Sequence, residues 1–544
     1  MKIPVICTTL LIEKSPQALP LGAACVASSI KHHELTKDLC DVSLTAFCRE
    51  DKDFIAHSSS IDEAGTYIAD SLIKKSNNAK KAIFCFSVYV WNRLILEKAA
   101  TLLREKGYVC IAGGPEVTAC PESFTSFDSV ITGEGEGKVP PVIYSFIDDK
   151  ENKSSIVTGK NQSLETLSSP YLDGTLDPSE YGGALWELAR GCPFKCSYCY
   201  ESKGEKVVRL FPMERVKKEL DLFAKKKISQ VFVLDPTYNA NKQRAIELLN
   251  LIAKKTPNTF YYFEARAEFL DRQMAKAFTK IPCALQIGLQ SSDENVLRLV
   301  NRPFNRKQFI KNINILNQEG VIFGLDVIYG LPGDSFKGYK NSIDFAMSLY
   351  PNNLELFCLS VLPGTDLFDR AKELHLNWES KPPYHIINTD KFSNEDIKNS
   401  EKIAQACSFF YNDGRAVPWF NTMCQALHLK PSIFFQQFYN FAKDKPLFKK
   451  FTSECNPESC SHKEIEGLQK EFIKQALTER NKKRLVTAAL DIITYNGAVS
   501  RKIETGASET IQLHYSPEFI DSEYALNLDF FVNNAKINTM RVKI

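Results

Sequence analysis

Short apolar runs alternate with helical spacing over the first 150 residues. The segments IPVICTTLL (3–11), DVSLTAF (41–47), KAIFCFSVYV (81–90), GYVCIAGG (107–114) and DSVITGEGEG (128–137) have the length and composition of strands. Between them LGAACVASSIKH (21–32), AGTYIADSLIKK (64–75) and RLILEKAATLLREKG (93–107) place apolar residues three and four apart, as helices do. Strand–helix alternation predicts a parallel sheet with helices on both faces, a Rossmann-like α/β domain over residues 1–150. Ligands of such sheets sit beyond the carboxyl ends of the strands. Gly113-Gly114-Pro115 and the glycines of GEGEG (133–137) fall at two of those ends. Tight turns alone also explain these glycines.

Residues 151–182 are polar, rich in serine and turn formers, and lack periodicity; they read as a linker. Alternation resumes in ALWELARG, QVFVLDP, TFYYFEAR, CALQIGLQ, VIFGLDVIYG and LELFCLSVLPG. Six such strands predict a partial or full β/α barrel over 183–375. Residues 376–544 turn to helical, aromatic-rich patterns such as PSIFFQQFYNFAK (431–443) and read as a mainly helical domain.

The length of 544 residues fits three to four domains. Lys and Arg number 68 against 65 Asp and Glu, a formal charge of +3. That balance gives no reason to expect nucleic acid or an anionic membrane as partner. No apolar run reaches a membrane-spanning length. The opening run Ile3 to Ile12 meets Glu13, Lys14 and Pro16 at once, so it reads as a first strand and not as a signal peptide. A reducing, cytoplasmic setting is expected, in which sixteen cysteines are buried thiols with some metal-binding or catalytic ones among them.

Three of those cysteines stand apart. ARGCPFKCSYCYES holds Cys192, Cys196 and Cys199 as C-x3-C-x2-C in a loop after a strand. Three thiolates within eight residues wrap one soft metal centre. Zinc wants four ligands, and the next cysteines, Cys283 and Cys358, sit in no paired motif. A four-iron cubane held by three cysteines leaves one iron open to chelation by a substrate.

This motif at the start of a β/α barrel resembles the radical S-adenosylmethionine (SAM) superfamily. The resemblance implies a [4Fe-4S] cluster on Cys192, Cys196 and Cys199, SAM chelated at the open iron, and reductive cleavage to a 5′-deoxyadenosyl radical. It places Tyr198 near the adenine. The downstream pattern (Glu264, Gln290, Arg302 and Asp326 in FEAR, GLQ, NRP and LDVIYGLP) is similar to the oxygen-independent coproporphyrinogen oxidase branch. That similarity implies Arg302 at the SAM carboxylate, Gln290 and Asp326 at the ribose, and Glu264 by the amine. Asp235 and Thr237, in LDPTYN, replace the glycine-rich amine-binding loop usual at that point. Taken singly, each residue has a plain structural use: a surface pair of Glu264 with Arg266, a helix cap by Arg302, a strand-end bond by Gln290.

The N-terminal segment resembles the cobalamin-binding domains found ahead of such barrels, on Pro20-Leu21-Gly22, FSVYVWN (86–92), GGPEVT (113–118) and ITGEGEG (131–137). It implies cobalamin contacts at Gly113, Gly114 and Pro115. The D-x-H-x-x-G motif that supplies a lower axial histidine is missing, and His32, His33 and His57 lack its context. The expected function is a radical SAM enzyme, with cobalamin-dependent methyl transfer to an unactivated carbon. The alternative is hydrogen abstraction without cobalamin, for oxidation, cyclisation or rearrangement, and a third is a non-catalytic iron–sulfur protein. Its partners would be an electron donor such as flavodoxin or ferredoxin and an unidentified small-molecule or peptide substrate. In the C-terminal part, Tyr384, His385, Tyr411, Arg415 and Trp419 read as core ahead of a pocket. Cys455, Cys460 and His462 are a weak metal match.

Overall fold

The computed structural model describes residues 2–148, 155–203, 207–452 and 460–544. Six parallel strands form the first sheet: β1 (Ile3–Leu11), β2 (Cys40–Cys48), β3 (Ile83–Ser87), β4 (Val109–Gly113), β5 (Ser129–Ile131) and β6 (Ser155–Val157). Their order is β2-β1-β3-β4-β5-β6, so the winding reverses between β1 and β3. Seven consecutive residues of β1 are buried, as expected of a strand covered on both faces. Ile68, Leu72, Leu96 and Leu103 of two helices pack on one face of the sheet. Ala23, Ala27, Ile30 and Ile143 of two others pack on the opposite face.

The segment read as a linker is corrected in part. Ser155–Val157 pairs with β5, with Ser155 opposite Ser129. A three-residue edge strand, half exposed, is too short to show a period. Residues 169–173 of the segment are tied down as well. Asp173 accepts from Ser28 Oγ (2.6 Å), Tyr171 donates to the Leu185 carbonyl (2.6 Å), and Ser169 donates to Glu219 (2.6 Å).

All six strands read from the second region are present: β7 (Gly183–Trp186), β10 (Gln230–Val233), β11 (Phe260–Ala265), β12 (Cys283–Gln290), β13 (Ile322–Tyr329) and β14 (Asn353–Cys358). They run in the order β14-β13-β12-β11-β10-β7. A two-residue antiparallel pair, β8 (Ala189–Arg190) with β9 (Arg209–Leu210), brackets the cysteine loop. The chain forms two compact units. One comprises Met1–Ala284, Ser360–Leu374 and Trp378–His385; the other comprises Leu285–Leu359, His375–Asn377 and Ile386–Ile544.

The second unit carries the helical region. Phe409, Phe410, Phe434, Phe438 and Phe472 are buried there, with mostly edge-on ring contacts. A small antiparallel pair, Thr510–Leu513 with Met540–Lys543, was not legible in the sequence pattern. Among the described residues no helix is long and apolar enough to cross a membrane.

Candidate functional site

A cavity of about 730 Å³ opens at the carboxyl ends of β1, β3, β4 and β5, the place the winding reversal predicts. Its floor is apolar, with Cys7, Val26, Cys85, Ile111, Ile131 and Val139. Gly113, Gly114 and Pro115 line one side. Gly114 has φ +115°, and a Cβ there would meet the Val88 carbonyl oxygen at 2.5 Å. Turn geometry therefore demands glycine, and the same turn borders the cavity. Glu187, Ala189, Arg190 and Gly191 line it too, with Leu234 and Pro236.

Arg190 ties the two sides together. Its guanidinium meets Glu187 at 2.9 Å, Glu136 at 2.7 Å and Glu134 at 3.1 Å. Arg209 also pairs with Glu134. Burial raises the Glu187 pKa, and the charge of Glu136 adds to the rise, while Arg190 opposes it. Among the described residues no histidine lines the cavity.

Arg190 leads through Gly191 directly into Cys192. Cys196 is buried; Cys192 and Cys199 are half-buried. The Cys199 N–H donates to the Cys196 carbonyl at 3.1 Å, closing a turn, and the Leu367 N–H pins the loop through the Ser197 carbonyl at 2.8 Å. Tyr198 lies half-buried in that turn. Burial pushes the Cys199 thiol up to about 11, and the neighbouring Cys196 and Cys192 add to it. Among the described residues no three His, Cys, Asp or Glu side chains gather closely enough to grip a single metal ion. A cubane bonds each cysteine to a different iron and so takes a wider set of thiols than one ion does. Three cysteines within one loop offer the thiolates that such a cluster needs.

Asp235 faces inward. Its Oδ1 accepts the N–H groups of Leu188 and Ala189, both at 2.9 Å, which fixes the backbone that carries Arg190 and the cysteine loop. Burial raises its pKa to about 7, against the lowering effect of those two bonds. Thr237 donates to the adjacent Pro236 carbonyl at 2.8 Å. Glu264 is exposed on β11. Arg266 is buried and pairs with Glu268 at 2.6 Å.

Strand β12 alternates cleanly. Cys283, Leu285, Ile287 and Leu289 are buried, while Ala284, Gln286, Gly288 and Gln290 share the other, half-buried face. Gln290, Arg302 and Asp326 come together on that face. Arg302 donates to the Gly288 carbonyl, and a Cβ at Gly288 would sit 2.9 Å from Arg302 Nη2 and closer still to the Gln290 amide. The Arg302 backbone N–H caps the preceding helix at Leu297 (2.9 Å) while its side chain reaches the strand. Gln290 has φ +69°, unusual for a residue with a Cβ, and its buried Oε1 accepts no hydrogen bond. Asp326 accepts from Gln286 and lies in register with Glu355 on β14. Burial raises the Asp326 pKa to about 6 despite the Gln286 bond; Glu355 adds to the rise and Arg302 opposes it.

Gln286 and Glu355, like Glu134, Glu136, Glu187, Arg190 and Arg209, were not singled out from sequence. Position along β12 and β14 was the available signal for the first two. The charged rim joins residues more than fifty positions apart and has no local signature.

The C-terminal candidates separate. Trp419 is buried, and the buried Tyr411 donates to the Pro351 carbonyl. Arg415 pairs with Glu504 at 2.7 Å. Tyr384 bonds Glu116, and Arg93 reaches its hydroxyl at 3.2 Å; His385 is half-buried beside it. Cys455 lies outside the described residues. The His462 ring contacts the Gly414 carbonyl (3.3 Å) and Arg501 (3.0 Å), and Cys460 contacts the Leu447 carbonyl (3.8 Å).

Known proteins fit this geometry. The radical SAM superfamily profile matches residues 186–346, and a profile of unknown function (DUF4080) matches 372–457. The cobalamin-dependent radical SAM methyltransferase TokK of Streptomyces tokunonensis is 25% identical over 328 residues, 52% of this chain and 48% of that one. An uncharacterised methyltransferase of Pyrococcus horikoshii is 24% identical over 422 residues, 72% of this chain and 87% of the other. The chain thus spans about half the length of TokK and most of the archaeal relative. Among solved structures, the cobalamin-dependent SAM radical enzyme OxsB with aqua-cobalamin bound aligns over 98% of this chain and 85% of its own, with TM-score 0.57 and 14% identity. TsrM from Kitasatospora setae, with cobalamin and a [4Fe-4S] cluster bound, aligns over 74% and 85%, with TM-score 0.52 and 13% identity. The chain therefore carries a radical SAM domain across residues 186–346, within a fold shared with solved cobalamin-dependent radical SAM enzymes.

Proposed function

We propose that the protein is a radical SAM enzyme that methylates an unactivated carbon with the help of a corrinoid. One observation carries the reading. Glu187, Ala189, Arg190 and Gly191 line the cavity at the first sheet's carboxyl edge, and their segment runs directly into the cysteine triplet.

Cys192, Cys196 and Cys199 would hold the cluster. Gln290, Arg302 and Asp326 would bind SAM, Arg302 as the cation for its carboxylate and the other two as acceptors for its hydroxyls. Gly113, Gly114 and Pro115 would border the corrinoid, over an apolar floor that suits a flat macrocycle. When bound, the cluster supplies the electron for sulfonium cleavage and the corrinoid supplies a methyl carrier. The chain's own part is placement. Asp235 fixes the strand end before the cysteine loop, Leu367 pins the loop itself, and the apolar floor keeps water from the reacting faces.

The test is anaerobic reconstitution followed by incubation with SAM and dithionite. The proposal expects 5′-deoxyadenosine together with S-adenosylhomocysteine. 5′-Deoxyadenosine alone would favour hydrogen abstraction without a corrinoid, and neither product would refute the enzyme reading.

A further inference from the structure

The loop that carries the cysteines holds a buried hydroxyl with no acceptor for its proton. Ser197 stands between Cys196 and Tyr198 and is 1% exposed. Its carbonyl takes the Leu367 N–H at 2.8 Å, so its backbone is held. Its Oγ has no hydrogen-bond partner among the described residues, cysteine sulfurs included. Other buried serines of the same unit are satisfied: Ser28 donates to Asp173 and Ser169 to Glu219, both at 2.6 Å. A buried hydroxyl without a partner loses its hydration and gains nothing in return. Such a group calls for an acceptor that the protein atoms do not supply.

Position narrows what that acceptor is. The Cys199 N–H donates to the Cys196 carbonyl at 3.1 Å, so Cys196–Cys199 is one tight turn with Ser197 as its second residue. The cysteines at the two ends of the turn are those proposed to hold the cluster. Consecutive Cα atoms stand about 3.8 Å apart, so the hydroxyl is a neighbour of whatever the thiolates hold. Since no cysteine sulfur takes it, the acceptor left at this place is inorganic sulfide.

We infer that Ser197 donates a hydrogen bond to an inorganic sulfide of the cluster and thereby raises the cluster's reduction potential. The inference rests on the cluster reading of the cysteine triplet and adds a tuning residue to it. A donor at sulfur favours the reduced cluster, which carries one more negative charge than the oxidised one. Removing the donor makes reduction harder. Water entering beside a smaller side chain would itself donate to sulfur and act the other way, so the sign of the shift separates the bond from a packing defect.

The experiment is a redox titration of the anaerobically reconstituted full-length protein without SAM, followed by electron paramagnetic resonance, with iron and sulfide per chain as the control. Ser197→Ala should keep about four iron and favour the oxidised cluster about tenfold, a midpoint lower by about 59 mV for one electron. Ser197→Thr keeps the hydroxyl and should stay near the unaltered midpoint. Loss of the cluster from Ser197→Ala alone, with Ser197→Thr at the unaltered midpoint, would also support the bond. An unchanged or higher midpoint in Ser197→Ala, an equal fall in both variants, or loss of the cluster from both would overturn the inference and leave the cluster of the unaltered protein standing. An unaltered protein that takes up no iron would overturn the cluster reading and this inference with it.

Discussion

The cavity rim and the aromatic cluster of the second unit are built from opposite materials. Around the cavity, Arg190 and three glutamates lie in a largely buried wall, glycine turns press on neighbouring backbone, and the central cysteine of a triplet is buried close by. In the cluster, Phe409, Phe410, Phe434, Phe438 and Phe472 fill space with ring contacts and carry no side-chain polar atoms. A fold keeps costly buried charge where something else requires it. The difference assigns chemistry to the first region and support to the second.

The largest effect that would break this contrast is complete loss at one residue. Cys196→Ala should abolish the cluster, seen as loss of the brown chromophore and of iron and sulfide after reconstitution. Retention of the full iron complement would remove the chemical side of the comparison. Next in size, Phe410→Ala should lower the unfolding free energy by about 3–5 kcal/mol through the cavity left behind. Iron content per folded chain should stay unchanged, and denaturant unfolding alongside iron analysis checks both. A loss of iron in step with stability would place the aromatic cluster in the site. Arg302→Ala is smaller in scope: the cluster remains, and SAM binding weakens at least about tenfold, a loss typical of a charge-assisted contact. Unchanged SAM affinity, measured by equilibrium dialysis, would dissolve the group of Gln290, Arg302 and Asp326.

The smallest effect concerns Asp235. Its folded pKa, raised by burial to about 7, lies above the unfolded value near 3.8. The folded state therefore holds the proton more tightly, so this group's contribution to stability is full below about pH 4 and is lost as pH rises to 7. Asp235→Asn keeps an acceptor for Leu188 and Ala189 and removes the titration. The stability difference between pH 4 and 7 should shrink relative to the unaltered chain in denaturant melts at the two pH values. An unchanged difference would mean that Asp235 does not titrate in this window.

The parts that were legible in sequence were local. The strands of both sheets announced themselves by apolar runs, and the cysteine triplet by three residues inside one loop. Strand β6 escaped because three edge residues carry no period. The charged rim escaped because Glu134 and Arg190 lie far apart in sequence and meet only in the folded chain. Asp235 was visible as an acidic residue at a strand end, but sequence could not show that its carboxylate turns inward to two backbone N–H groups. Gln290 was named for its spacing, while its left-handed backbone and bare Oε1 appear only in three dimensions.

The central claim is a four-iron centre held at three corners by Cys192, Cys196 and Cys199. It is tested most directly by electron paramagnetic resonance of the reduced, anaerobically reconstituted protein with and without SAM. The account predicts about four iron and four sulfide per chain and a signal that changes when SAM is added, because SAM takes the open iron. A reconstituted protein without iron, or a cluster whose signal SAM leaves untouched, would contradict it.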